Sequence, residues 1–122
     1  MKKIIGLLVA VSLVVVGLYA TVASASSHSA KAVLVTVTMT DYHFKLSKTT
    51  GFKHGVAYTF KATNKGHAYH NFDIQGVKAT NVGSPGKVSS FTVTFKKAGK
   101  YQFICDVPRH AELGMAGTLK VA

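Results

Sequence analysis

Apolar and polar positions alternate along most of this chain. From residue 35 on, Val35, Val37 and Met39 fall on one side and Thr36, Thr38 and Thr40 on the other, so residues 32–40 predict a half-buried strand. Residues 56–63 repeat the pattern, with Val56, Tyr58, Phe60 and Ala62 against Ala57, Thr59, Lys61 and Thr63. Residues 88–95 do so again through Phe91, Val93 and Phe95. Residues 41–46 read as a neighbouring strand with Tyr42, Phe44 and Leu46 inward and His43 outward. Residues 67–74 are rich in aromatic and β-branched types and also predict a strand. Residues 101–121 read as strand, tight loop, strand. Turn-forming residues separate these runs: residues 49–55, Asn64-Lys65-Gly66, the loop-like stretch 76–86, and a hairpin turn at 97–100. Past the N-terminus no helical period is sustained, and one helical turn is expected around residues 110–113. About seven or eight short strands at regular spacing argue an all-β fold, a two-sheet antiparallel Greek-key β-sandwich.

The N-terminus departs from this pattern. Met1-Lys2-Lys3 is a short positive segment, residues 4–18 are almost wholly apolar, and Ala23-Ser24-Ala25 offers small residues at a cleavage site. Residues 1–25 therefore read as a signal peptide, 26–31 as a flexible linker and 32–122 as one domain. An uncleaved N-terminal membrane anchor is the weaker alternative, since the apolar run nearly suffices to cross a bilayer. Either way the domain is exported, to a periplasmic or other extracytoplasmic space. Removing Lys2 and Lys3 from the 15 basic residues leaves 13 against 4 acids, a net charge of +9. The charge permits binding to anionic surfaces. The lysines are scattered, without a basic helix or stacking motif, so nucleic acid is not the expected partner.

One cysteine, Cys105, cannot make an internal disulfide. Taken alone it would be a small buried hydrophobe. Its surroundings change that reading. His110 follows five positions on and Met115 five further, within one loop between two strands. Thiolate, imidazole and thioether are soft or borderline donors, and one histidine from elsewhere would complete a trigonal copper site with a weak axial sulfur.

Cys105-x4-His110-x4-Met115, preceded by Tyr101-x-Phe103 and followed by Gly117-Thr118-Leu119-x-Val121, resembles the copper loop of the cupredoxins, the plastocyanin-like type 1 blue copper proteins. His70-Asn71-Phe72 resembles that family's first histidine motif. The resemblance implies one copper, with His70, Cys105 and His110 as equatorial ligands and Met115 as the axial one. It also implies a one-electron carrier between larger redox proteins. In the family, the asparagine after the first histidine bonds to a Ser or Thr after the cysteine; here that position is Asp106, an acceptor only when ionised. The backbone N–H of Asn71 is the expected hydrogen bond to the Cys105 sulfur. Pro108 lies three residues after Cys105, so Val107 keeps an N–H that would make a second such bond and raise the potential. Many relatives with this loop length carry Gly where this chain has Arg109. The other histidines, His28, His43, His54 and His67, are not expected as ligands.

Enzyme readings fare worse. Multicopper oxidases flank the cysteine with histidines, and here the neighbours are Ile104 and Asp106. A nitrite reductase needs a second domain, and a binuclear copper centre needs a second cysteine. A copper carrier or storage protein without redox work uses the same ligands and stays open at this stage. An electron carrier of this charge would be a monomer that docks on acidic redox partners, with loose attraction to anionic membrane as a further expectation.

Overall fold

The computed structural model describes residues 30–122, so the expected signal peptide lies outside the described residues, as does most of the linker. Eight strands form two four-stranded sheets, and among the described residues there is no α-helix. The first sheet has the order β2 (His43–Leu46), β1 (Val33–Thr40), β3 (Ala57–Asn64), β6 (Val88–Thr94). The second has β5 (Lys78–Ala79), β4 (Asp73–Ile74), β7 (Gly99–Ile104), β8 (Ala116–Val121). The alternating residues close on one another between the sheets: Val35, Val37, Met39, Tyr58, Phe60, Ala62 and Phe91 from the first face Ile74, Phe103, Leu119 and Val121 from the second. Phe72 sits among Phe44, Phe60, Phe91 and Phe103, with ring centroids 5.2 to 6.2 Å apart. Burying each such ring contributes about 2 to 3 kcal/mol, the main source of stability in a domain this small.

Several local expectations give way to long-range pairing. β1 and β3 run parallel, joined by the connector through β2, while the other pairings are antiparallel. Residues 97–100 do not make a hairpin, because β6 and β7 belong to different sheets and this connector arches between them. Phe95 turns inward at the crossing and packs 4.7 Å from Tyr101. Residues 67–74 are a strand only at Asp73 and Ile74, with an isolated bridge between His70 and Gly83. The reason is local: side chains of Asn64 and Asp41, not a neighbouring strand, take up the N–H groups of Gly66, His67 and Ala68. Tyr42 lies outside the core, 39% exposed, while Phe44 is buried as expected and Leu46 half-buried. The loop-like stretch 76–86 contains the short edge strand β5.

The strand directions gather the chemistry at one end. The turn between β1 and β2, the segment after β3, and the connection from β7 to β8 all emerge together. At the opposite end lie Lys53, Lys96, Lys97 and the cross-strand pair Lys100 and Lys120.

Candidate metal centre

Residues 105–115 extend the β7–β8 pairing by one step and then loop out. The Cys105 N–H donates to the Met115 carbonyl at 3.1 Å, closing the loop at its base. Above that base the backbone coils in linked turns: His110 N–H to Val107 carbonyl, Leu113 N–H to Arg109 carbonyl, and Met115 N–H to His110 carbonyl, all 3.0 to 3.1 Å. This is the expected helical turn, realised as hydrogen-bonded turns rather than a helix. Arg109 sits at φ +70°, the left-handed region that favours glycine. The fold thus gives a reason for the glycine expected at that position.

His70, Cys105 and His110 converge as a single cluster, all buried. The two Nδ1 atoms are 3.1 Å apart; Cys105 Sγ lies 3.5 Å from Nδ1 of His110 and 3.9 Å from Nδ1 of His70. A metal about 2.0 Å from each nitrogen and about 2.3 Å from sulfur, at trigonal angles, would separate its donors by about 3.5 and 3.7 Å. The two sulfur–nitrogen distances bracket the second value and the nitrogen–nitrogen distance falls about 0.4 Å short of the first, so the donors fit a three-coordinate metal once the two imidazoles part slightly. Met115 is fully buried where the loop rejoins β8. Burial, followed by the charge of neighbouring His70, pushes the His110 imidazole below its ordinary basicity, which keeps it a neutral donor.

The Asn71–Asp106 pairing forms in full. Asn71 Nδ2 donates to Asp106 Oδ2 at 2.7 Å, and the Asp106 N–H donates to Asn71 Oδ1 at 2.7 Å. A carboxylate thus does here what a hydroxyl is expected to do in relatives. The expected N–H bonds to sulfur are not found: among the described residues the partners of Sγ are the two imidazole nitrogens, not the N–H of Asn71 or of Val107. Val107 instead packs against the core, and its carbonyl serves the turn to His110.

Three neighbours of the cluster carry no sequence motif. Tyr42 sets its ring edge-on to His110, with centroids 4.8 Å apart. Asp41 accepts from His70 Nε2 at 2.6 Å, and Gly66 lies against both. The N–H of His67, then the His70 imidazole and the N–H of Ala68, hold the Asp41 carboxyl well below the usual carboxylate range. His67 itself is exposed, as expected, with Nδ1 3.3 Å from Asp41. His43 and His54 are exposed and apart from the cluster, and His28 lies outside the described residues.

A cupredoxin-like domain model matches residues 11–119. No curated protein sequence matches the chain. Among solved structures, the chain resembles dithionite-reduced auracyanin from the photosynthetic bacterium Roseiflexus castenholzii, at 20% identity over 75% of this chain and 98% of that one, with a TM-score of 0.63. It also resembles auracyanin A, a blue copper protein from the green thermophilic photosynthetic bacterium Chloroflexus aurantiacus (19% identity, 75% and 100% covered, TM-score 0.60). A multicopper oxidase from Campylobacter jejuni matches at 18% identity over 72% of this chain but only 29% of its own length, with a TM-score of 0.58. At these identities the likenesses show the fold. With the family model spanning most of its length and a His70, Cys105, His110 and Met115 donor set that fits one type 1 copper, the chain belongs to the cupredoxin family.

Proposed function

We propose that this protein is an exported one-electron carrier, with His70, Cys105 and His110 as equatorial ligands and Met115 as the axial ligand of its copper. The observation that supports this reading most is the graded depth of the donors. Cys105 and His70 are sealed from solvent, while His110 reaches the surface with 8% of its area exposed. It does so beside Pro108, Leu113 and Gly114, which are exposed and apolar or small. Bound copper would supply a single-electron Cu(I)/Cu(II) couple. The chain does the rest. The Cys105–Met115 backbone bond and the Asn71–Asp106 pair hold the two ligand segments in one arrangement, so both charge states meet the same donors. The edge of His110 is the short route to a docked partner. A net charge of +9 speeds encounter with an acidic partner. Export rests on the N-terminal sequence pattern. A non-catalytic role is supported by the flanking residues Ile104 and Asp106, which stand where a multicopper oxidase is expected to carry histidines.

Visible and paramagnetic resonance spectra of the copper-loaded protein, beside Cys105→Ser, test this directly. The expected result is an intense sulfur-to-copper band that Cys105→Ser abolishes, with fast reversible reduction. A spectrum indifferent to that substitution would sink the copper assignment. Weak, exchangeable, colourless copper would favour a copper carrier or store instead.

A further inference from the structure

His70 uses Nδ1 toward the donor cluster, which leaves Nε2 on the far side of the ring. That atom, on a fully buried side chain, lies 2.6 Å from Oδ1 of Asp41, whose side chain is 23% exposed. The carboxylate is itself held. The N–H of Ala68 donates to Oδ1 at 3.1 Å and the N–H of His67 donates to Oδ2 at 2.8 Å. Asp41 ends the run of β1 and His70 follows β3, so parallel neighbours deliver the pair to the same place. The gap between them is kept by an absence of side chain. A Cβ on Gly66 would crowd the Asp41 carboxylate and lie 2.8 Å from His70 Nε2, closer than such atoms approach.

We propose that Asp41 is a positioning residue for the metal centre: its carboxylate holds the Nε2–H of His70, which fixes Nδ1 as the free donor and strengthens it, while Gly66 keeps the space that admits the carboxylate. A carboxylate on the outer nitrogen of a ligating imidazole orients the ring and raises its basicity. A negative charge one imidazole away also stabilises the more positive oxidation state of the metal. The pair therefore draws the couple toward Cu(II) and lowers the reduction potential. The redox part of this inference rests on the copper reading; the tautomer of His70 does not.

The experiment compares Asp41→Asn, Gly66→Ala and the double variant with the parent protein. Asp41→Asn is expected to weaken Cu(II) binding about 10- to 100-fold. Each tenfold loss suffered by Cu(II) and not by Cu(I) raises the potential by about 59 mV. Gly66→Ala leaves the carboxylate chemically intact but displaces it, so its potential should move the same way. The double variant should exceed neither single one by much, because both break one contact. In the copper-free parent, nitrogen NMR should show His70 protonated at Nε2 with a strongly deshielded proton, and both single variants should lose that signal. An Nδ1–H tautomer in the parent, or a potential unmoved by Asp41→Asn while stability falls, overturns the proposal. A parent without the blue band overturns the copper reading instead, and the two failures are told apart by the copper-free spectrum.

Discussion

Residues 105–115 and residues 64–72 bring the donors together from opposite directions, and they are built differently. The downstream segment folds on itself: its turns are backbone hydrogen bonds between residues three to five apart, closed by the Cys105–Met115 pair ten apart. The upstream segment has almost no ladder of its own. Asn64 reaches forward to the carbonyls of Ala68 and Gly83, both at 2.9 Å, and accepts from the N–H of Gly66. Asp41 takes the next two N–H groups, and Thr80 Oγ1 accepts from the N–H of Phe72 at 3.0 Å. One arm therefore carries its shape in its own sequence. The other takes its shape from side chains, one its own in Asn64 and two from elsewhere in the chain, Asp41 and Thr80. An arm held in this way should be the more fragile to single substitutions.

Asn64→Ala is the strongest way to break that contrast. It removes three hydrogen bonds, to the Ala68 and Gly83 carbonyls and from the Gly66 N–H, of which only the Gly83 carbonyl keeps another partner in the His70 N–H; the loss should cost about 3 kcal/mol at about 1 kcal/mol per bond. Urea unfolding of the copper-free protein measures it, and a loss no larger than that of an exposed loop substitution such as Glu112→Ala would erase the distinction. Next comes the joint between the arms. Asp106→Ala strips Asn71 Nδ2 of its short acceptor, leaving only the Thr80 carbonyl at 3.4 Å, and should cost about 1.5 kcal/mol, while Asp106→Thr, which restores a hydroxyl, should recover about half. The same unfolding experiment ranks the three proteins.

The self-supported arm has one local defect to relieve. Arg109 pays for its left-handed backbone with about 1 to 2 kcal/mol. Arg109→Gly removes that strain and returns about 0.4 to 1 kcal/mol through the freer unfolded chain. A net gain of about 0.5 to 1 kcal/mol in thermal or urea unfolding is expected. The smallest effect concerns Asp73, which pairs with Ile104 across the joint. Burial, and then the nearby Asp106 carboxylate, raise its pKa above the ordinary 3.8. The folded state thus holds this proton more tightly than the unfolded one, so stability falls as pH rises from about 3.8 through the raised value. Asp73→Asn should make the copper-free protein more stable at neutral pH, with the advantage vanishing below about pH 3.8. An advantage that grew on acidification would contradict the sign.

What the sequence made legible follows the same division. Cys105, His110 and Met115 are close in the chain, so their spacing alone brings them together. The alternation of Val35, Val37 and Met39, or of Tyr58, Phe60 and Ala62, marks inward faces because burial of one side has a period of two. Alternation is silent about partners, however. It cannot tell that β1 lies parallel to β3, nor that the connector at 97–100 leaves one sheet for the other. Asn64 reads locally as a turn residue, but its bond to Gly83 spans 19 positions. Asp41 stands 29 positions from His70, and nothing in its neighbours marks it as the acid that reaches the imidazole. Asp106 was visible as a departure from the family pattern; only the fold shows that the departure preserves the bond.

The uneven placement of charge has a consequence for how the molecule turns in an electric field. All four acids sit near the metal end: Asp41 on His70, Asp106 on Asn71, Asp73 beside Asp106, and Glu112 in the loop between His110 and Met115. Lys53, Lys96, Lys97, Lys100 and Lys120 crowd the other pole. The protein is therefore an electric dipole as well as a cation, and a negatively charged surface exerts a torque that brings the lysine pole round first. On the proposed carrier reading, long-range attraction and productive contact would fall to opposite ends. A partner docking at His110, as proposed above, would have to overcome that torque at close quarters, where the exposed Arg109 and Leu113 offer one cationic and one apolar side chain beside the histidine.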